Sequence, residues 1–352
     1  MTRVPDKAGR ISGSLLAWYD AQKRSFPFRG TKDPYRVWVS EVMLQQTRTE
    51  TVGPYYERFL ALFPDVYALA QADEQAVLKA WQGLGYYTRA RNAHRTAKLV
   101  AASGGVFPRT ALELQKLPGI GAYAAAAIAS IAYDEPVPAM DGNLNRVLSR
   151  LFNVSQDLSS PIARRELRAL GQSLMPPVRA GDMNQALMDL GATVCLPGTP
   201  DCARCPVADD CAGYKSGDPA SLPVLKAKKP PLQVPVAVLL LVCGGRVLLI
   251  RRSEALLRSL YVFPLKEGDA GPAAALSVLR RYAPRQIFVE EIGFARHVFT
   301  HRVWNMRLYT ARTDACAAVE GGVWADADTL ARLPLPVAMK AAAACASKIL
   351  AG

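Results

Sequence analysis

Apolar positions between Ile11 and Gly191 recur near a period of 3.6, as at Leu15, Leu16 and Tyr19, which predicts a helical region. Turn signals at Phe63-Pro64-Asp65, Gly104-Gly105 and Pro118-Gly119 divide it into separate helices, among them residues 122–132 and 144–152. Residues 212–233 then break the pattern with Gly, Pro, Ser and Lys, the composition of a connector. Beyond it the chain turns β-rich. Residues 234–242 and 246–251 form a hairpin about Gly244-Gly245, and further strands are expected at 287–290, 296–300, 303–309 and 322–324. Helices are expected at 272–282 and 337–350. The prediction is a mostly α domain at 1–211, a connector at 212–233 and an α+β domain at 234–352.

The 352 residues suffice for two domains with separate cores. Half are hydrophobic and 21% are charged, and no apolar run reaches the roughly eighteen residues of a membrane span. The first ten residues carry both charge signs and lead into a helical pattern, so no export presequence is read and a cytoplasmic location is expected. A net charge of +13 favours a polyanionic partner, although basic surfaces alone do not establish one. Seven cysteines in this context argue for thiols or metal ligands over a disulfide framework, and Cys243, Cys316 and Cys345 are given no chemistry.

Leu117-Pro118-Gly119-Ile120-Gly121 ends one helix and opens the next. Gly119 and Gly121 permit a tight turn and a close backbone approach, and the following helix N-terminus can hold a phosphate. An ordinary helix–helix turn reads the same way. Asp141 follows an extended stretch with two prolines and precedes a helical pattern, a position that suits an N-cap or a carboxylate at the mouth of a groove. Glu41 sits among apolar neighbours in Val37-Trp38-Val39-Ser40-Glu41-Val42-Met43-Leu44, where desolvation raises a carboxyl pKa. The next residues, Gln45, Gln46 and Thr47, carry groups that suit base edges. Tyr86 and Tyr87 lie beside Arg89 and Arg91, an arrangement that suits base stacking or plain core packing. Cys195, Cys202, Cys205 and Cys211 form a C-x6-C-x2-C-x5-C run that can wrap a metal centre, either structural zinc or an iron–sulfur cluster.

These segments resemble the MutY adenine DNA glycosylases of the helix-hairpin-helix superfamily that also holds endonuclease III. The likeness runs through SEVMLQQT, GLGYYTRARN, LPGIG, DGN, NQALMDLGA and the four cysteines. It implies a [4Fe–4S] cluster on the cysteines, and a double-stranded DNA partner with adenine opposite 8-oxoguanine or guanine. It also implies a monomeric, nucleoid-associated enzyme. Glu41 takes the place of the general acid that protonates adenine, Asp141 that of the carboxylate stabilising the sugar cation, and Asn143 supports it. Gln46 and Tyr86 take the places of residues wedged into the duplex. Tyr123 stands where bifunctional relatives have a Schiff-base lysine, so base excision without strand cleavage is expected. Phe28 stands where tryptophan is common, and Ala122 and Ala124 where polar residues are.

The second domain is similar to the Nudix-like C-terminal domain of that family. Phe299-Thr300-His301 matches its 8-oxoguanine-sensing loop, with Thr300 where serine is frequent. Residues 265–279 lack the clustered glutamates that nucleotide hydrolysis needs for magnesium. A thymine or uracil mismatch glycosylase, and a non-catalytic DNA-binding iron–sulfur module, are the competing readings.

Overall fold

The computed structural model describes residues 4–226 and 230–351, which divide by internal contacts into two units. The first comprises residues 1–71 and 92–227, and the second residues 72–91 and 228–352. The connector expected at 212–233 falls partly outside the described residues, at 227–229. Its described part holds a short helix, Ala212–Lys215, and a 3-10 turn, Pro219–Ser221.

The first unit is helical, and its helices follow from their apolar spacing. In Gly142–Leu151, Leu144, Val147, Leu148 and Leu151 occupy one face and are all buried. They pack with Ile11 and Leu15 of Val4–Gln22 and with Leu187 and Leu190 of Ala180–Thr193. In the Ala122–Tyr133 helix, Ala124 through Ser130 are all buried. Its small side chains let the neighbouring helices approach closely.

In the second unit β1 (Leu232–Cys243) and β2 (Arg246–Arg251) form the expected hairpin. They are followed by β3 (Tyr261–Val262), β4 (Leu265–Glu267), β5 (Glu290–Val298), β6 (Arg302–Arg312) and β7 (Gly322–Ala325). The strand order is β3-β2-β1-β6-β5, with β4 on β1 and β7 on β2. β1 and β6 run parallel from Leu232↔Arg302 to Val242↔Arg312. Central β1 is buried on both faces, which explains its unbroken apolar sequence. Val236, Val238 and Leu240 face a core that includes Ala342 and Ala346 of the C-terminal helix, Lys340–Ala351. Ala237, Leu239 and Leu241 face Ala275, Val278 and Leu279 of the Pro272–Tyr282 helix.

Three expectations require correction. No strand begins at residue 287; Ile287 and Phe288 are exposed at 79% and 72%, and β5 starts at Glu290. Apolar β-formers there mimic a strand but have no partner. The last helix opens with a 3-10 turn, Val337–Met339, before its α segment. Cys243 and Cys316 form a disulfide instead of standing as thiols. The parallel β1–β6 pairing carries Thr313 to Val242, where its N–H donates to the Val242 carbonyl at 2.9 Å, and so brings distant cysteines together. Local sequence does not reveal that adjacency.

The two-faced burial of β1 predicts a contrast within one strand. Leu240→Ala should destabilise the protein by about 2–5 kcal/mol. Leu232→Ala, at a site 65% exposed, should stay within about 0.5 kcal/mol. Denaturant titration of both variants measures the difference.

Candidate active site

Glu41 is delivered by the Pro34–Leu44 helix, whose start is fixed by Asp33. The Asp33 carboxylate accepts the Tyr35 N–H at 2.9 Å, and Pro34 opens the first turn. Tyr35 and every residue from Val37 to Met43 are buried, so Glu41 is drawn inside with its apolar neighbours, to 5% exposure. Asp141 is the N-cap of Gly142–Leu151 and accepts the Leu144 N–H at 2.7 Å and the Asn143 amide at 3.1 Å. The Asp141 loop is fixed from two sides. Buried Asn184 donates to the Val137 carbonyl and accepts the Ala139 N–H, each at 2.9 Å. Arg146 donates to the Asn143 side chain at 2.9 Å and to the Gly191 carbonyl at 2.6 Å. Gly191 permits this approach, since a Cβ there would lie 2.7 Å from that of Asn143.

These elements close around a cavity of about 210 Å³ lined by Glu41, Tyr123, Asp141, Asn143 and Thr47. Tyr123, from the first turn of Ala122–Tyr133, hydrogen-bonds the Glu41 carboxyl. Glu41 Oε2 has no hydrogen-bond partner within the protein. Burial pushes the Glu41 carboxyl up to about 7; the Tyr123 hydrogen bond and Arg29 oppose that rise, and the Asp141 charge reinforces it. Burial also raises Asp141, but the Leu144 and Asn143 donors and Arg146 hold it back. Burial, with the neighbouring carboxylates, keeps the Tyr123 phenol protonated well above its usual range. The result is a protonated carboxyl beside one whose donors favour the anion, two roles set apart by environment.

Arg24, Arg29 and Gln185 also line the cavity, and the sequence reading assigned none of them. Gln185 lies in the Asn-Gln-Ala-Leu-Met-Asp run, where Met188 also lines the cavity and Asn184 holds the Asp141 loop. The arginines flank Phe26-Pro27-Phe28, a stretch with no recognisable motif of its own. Phe28 lines the cavity and stacks on Phe26 with ring centroids 5.3 Å apart.

Gln45, Gly119, Gly121 and Tyr123 share a more open groove beside the cavity. Gly119 has φ +77, and a Cβ there would meet Asn92 at 2.6 Å, so the hairpin requires glycine on both counts. Gly121 caps the next helix without a side-chain acceptor, which leaves its first N–H groups for an anion. Gln46 has the left-handed φ of 59.

Cys195, Cys202, Cys205 and Cys211 all line a second, apolar cavity. Buried Arg150 ties their loop down, donating to the Leu196, Gly198 and Leu222 carbonyls at 2.7–2.9 Å and to Cys195 Sγ at 3.4 Å. Burial pushes the Cys205 thiol up to about 11. Among the described residues, no group of three or more His, Cys, Asp or Glu is placed to hold a single metal ion.

Within the second unit, Tyr86 and Tyr87 divide their labour. Tyr87 is buried and donates to the Leu335 carbonyl at 3.3 Å, whereas Tyr86 is 47% exposed with φ +49. The Tyr86 and Thr300 hydroxyls are 2.7 Å apart. Phe299 packs edge-on against His297 and Trp304, and the His301 carbonyl accepts the Leu232 N–H at 3.0 Å. The two carboxylates of 265–279 are engaged elsewhere. Glu267 pairs with Arg252 and Arg302 at 3.1 and 3.0 Å, and Asp269 accepts the Gly271 N–H at 2.8 Å.

Residues 39–173 match the model of the HhH-GPD superfamily of base excision DNA repair proteins, and residues 237–344 that of the NUDIX domain. The adenine DNA glycosylase of Mus musculus is 34% identical over 390 residues, covering 93% of this chain and 76% of its own. That of Arabidopsis thaliana is 37% identical over 348 residues, 83% of this chain; the chain spans 55% of the plant protein. A solved thermostable thymine-DNA glycosylase is 26% identical with a TM-score of 0.54, over 60% of this chain and 97% of its own. No helix among the described residues is long and apolar enough to cross a membrane.

The raised Glu41 pKa has a consequence for stability with a definite sign. An acid whose folded pKa, about 7, exceeds its unfolded value near 4.5 stabilises the fold fully below pH ~4.5 and loses that contribution as pH rises to ~7. Glu41→Gln should therefore be more stable than the parent at pH ~8, by on the order of 3 kcal/mol, with no gain below pH ~4.5. Paired denaturant titrations across that range provide the check.

Proposed function

The chain belongs to the adenine DNA glycosylase family, and on that premise we propose that it hydrolyses the N-glycosidic bond of adenine paired with 8-oxoguanine or guanine in duplex DNA. The observation that carries this reading is a buried Glu41, its carboxyl pushed up to about 7, beside the helix-capping Asp141 on one cavity wall. In the proposed reaction Glu41 gives its proton to a ring nitrogen of the extruded adenine. The C1′–N9 pair leaves with the base, and the Asp141 carboxylate stabilises the oxocarbenium-like sugar until water adds and gives up a proton, which restores the Glu41 acid. Asn143 and the Leu144 N–H hold Asp141 in place, and Tyr123 orients the Glu41 carboxyl. Extruding the base costs roughly a few kcal/mol, offset by phosphate contacts at the hairpin and by the pocket.

Tyr123 has no amine, so it forms no Schiff base with the abasic sugar and the strand stays intact. Gln45, Gln46 and Thr47 follow the catalytic helix directly and are assigned to the duplex around the flipped base. The second unit, residues 72–91 included, is assigned lesion recognition, with Tyr86 as a wedge and Phe299-Thr300-His301 reading 8-oxoguanine. The engaged carboxylates of residues 265–279 speak against nucleotide hydrolysis. A thymine or uracil mismatch enzyme has no evident need for such a loop, and a non-catalytic module gives no reason to bury Glu41 with one oxygen unpartnered.

The four cysteines fit an iron–sulfur cluster. All four line one apolar cavity, and membership of the family, rather than the spacing, favours a [4Fe–4S] group over a lone zinc. Cys195, Cys202, Cys205 and Cys211 would hold it as thiolates, with Arg150 donating to Cys195. When bound, the cluster supplies the positive charge that lets four neighbouring thiolates coexist.

Single-turnover assays on a duplex with adenine opposite 8-oxoguanine test the proposal. The protein should release adenine with little strand cleavage and no borohydride-trapped adduct. Glu41→Gln should lose about 10²–10⁴-fold in rate with DNA binding retained. Unchanged release by that variant would refute the reading, and preferential release of thymine from a T:G duplex would favour the mismatch alternative.

A further inference from the structure

Asp189, on the Ala180–Thr193 helix, does not line the cavity, and its side chain is 1% exposed. Its Oδ1 accepts Arg24 Nε at 2.9 Å, Arg24 Nη2 at 2.7 Å and Arg29 Nη2 at 3.0 Å. Its Oδ2 accepts the Arg24 backbone N–H at 3.3 Å and Arg29 Nη1 at 3.2 Å. One hidden carboxylate therefore holds two guanidinium groups, and both belong to the wall of the Glu41 cavity. Their planar forks are pinned at several atoms each, so neither can swing toward Glu41 and pair with it.

We propose that Asp189 is a positioning residue for this site: it clamps Arg24 and Arg29 in the cavity wall and cancels one of their two charges, so that Glu41 faces a single net positive charge. The inference rests on the reading of Glu41 as the proton donor. A donor must keep its proton until the base accepts it, and a nearby positive charge favours the ionised form. Each element around Glu41 contributes to the balance. Arg29, with Arg24 behind it, comes from the loop after the first helix, and Tyr19 of that helix hydrogen-bonds Arg29 at 2.9 Å. Tyr123 donates from the Ala122–Tyr133 helix, and Asp141 adds a negative charge from the cap of Gly142–Leu151. Arg29 already opposes the upward shift of Glu41 that burial imposes. Were Asp189 neutral, the wall would carry two uncompensated charges, and Glu41 would surrender its proton at lower pH.

The test is the pH dependence of single-turnover adenine release from an A:8-oxoguanine duplex between about pH 5 and pH 9. In the parent, release falls on the alkaline side as Glu41 ionises, with a midpoint near 7. Asp189→Asn should move that limb down by on the order of one pH unit. Arg24→Gln removes a positive charge instead and should move the limb up. The double variant D189N/R24Q restores one net positive charge and should return the limb toward the parent. A merely structural Asp189 predicts a loss at every pH, no displacement of the limb, and a further loss in the double variant. Arg24 is 27% exposed, so R24Q carries the test if D189N does not fold. Limbs of D189N and R24Q that coincide with the parent overturn the proposal. Glu41→Gln, run alongside, separates the two claims. If it still releases adenine, the reading of Glu41 fails. If it is inactive while the limbs stay fixed, only the role of Asp189 falls.

Discussion

The structure depends on one costly placement, a carboxyl group taken out of water at Glu41. An ionised carboxylate in such a position is penalised by several kcal/mol, and the protein avoids that penalty by keeping the proton. Tyr123 satisfies one part of the group, and the other oxygen is buried without a hydrogen-bond partner. A side chain held in that state is a stored acid. Asp141, close enough to reinforce the proton on Glu41, receives the opposite treatment from a helix N-terminus and an amide. The first unit thereby separates the properties of two chemically similar groups.

That separation requires tight convergence of several helices, which small residues make possible. The alanine-rich Ala122–Tyr133 helix is buried along most of its length, so the elements carrying Glu41 and Asp141 can both reach the cavity. Gly191 lets Ala180–Thr193 lie against Asn143, and the same helix contributes Asn184 to the Asp141 loop and Asp189 to the arginine wall. A single helix thus sets both the position of one carboxylate and the charge facing the other. The cysteine loop follows directly after that helix, with Arg150 as its anchor.

Much of this was legible in the sequence, for identifiable reasons. The helices after the hairpin and after Asp141, the β1–β2 hairpin and the Pro272–Tyr282 helix followed from local periodicity and turn chemistry, which act over a few residues. Glu41 stood out because a charged residue among apolar neighbours is unusual. Asp189 and its two arginines did not, because ion pairs across about 160 positions leave no local pattern. The same limitation hid the Cys243–Cys316 disulfide, which depends on parallel strands paired across 70 positions. The grouping of residues 72–91 with the second unit is also non-local. It rests on contacts such as Tyr87 with Leu335, and Tyr86 with Thr300, that no stretch of sequence displays. Short β3 and β4 lack the length to show a period at all.

The central claim, that burial keeps the proton on Glu41 well above the ordinary glutamate range, can be observed without any substrate. Isotope-edited infrared difference spectroscopy, comparing the parent with Glu41→Gln, follows the carbonyl stretch of this one carboxylic acid as pH is raised. The account predicts a protonated band that persists above pH ~5 and is lost with a midpoint near 7. A midpoint near the ordinary glutamate value of about 4.3 would contradict it.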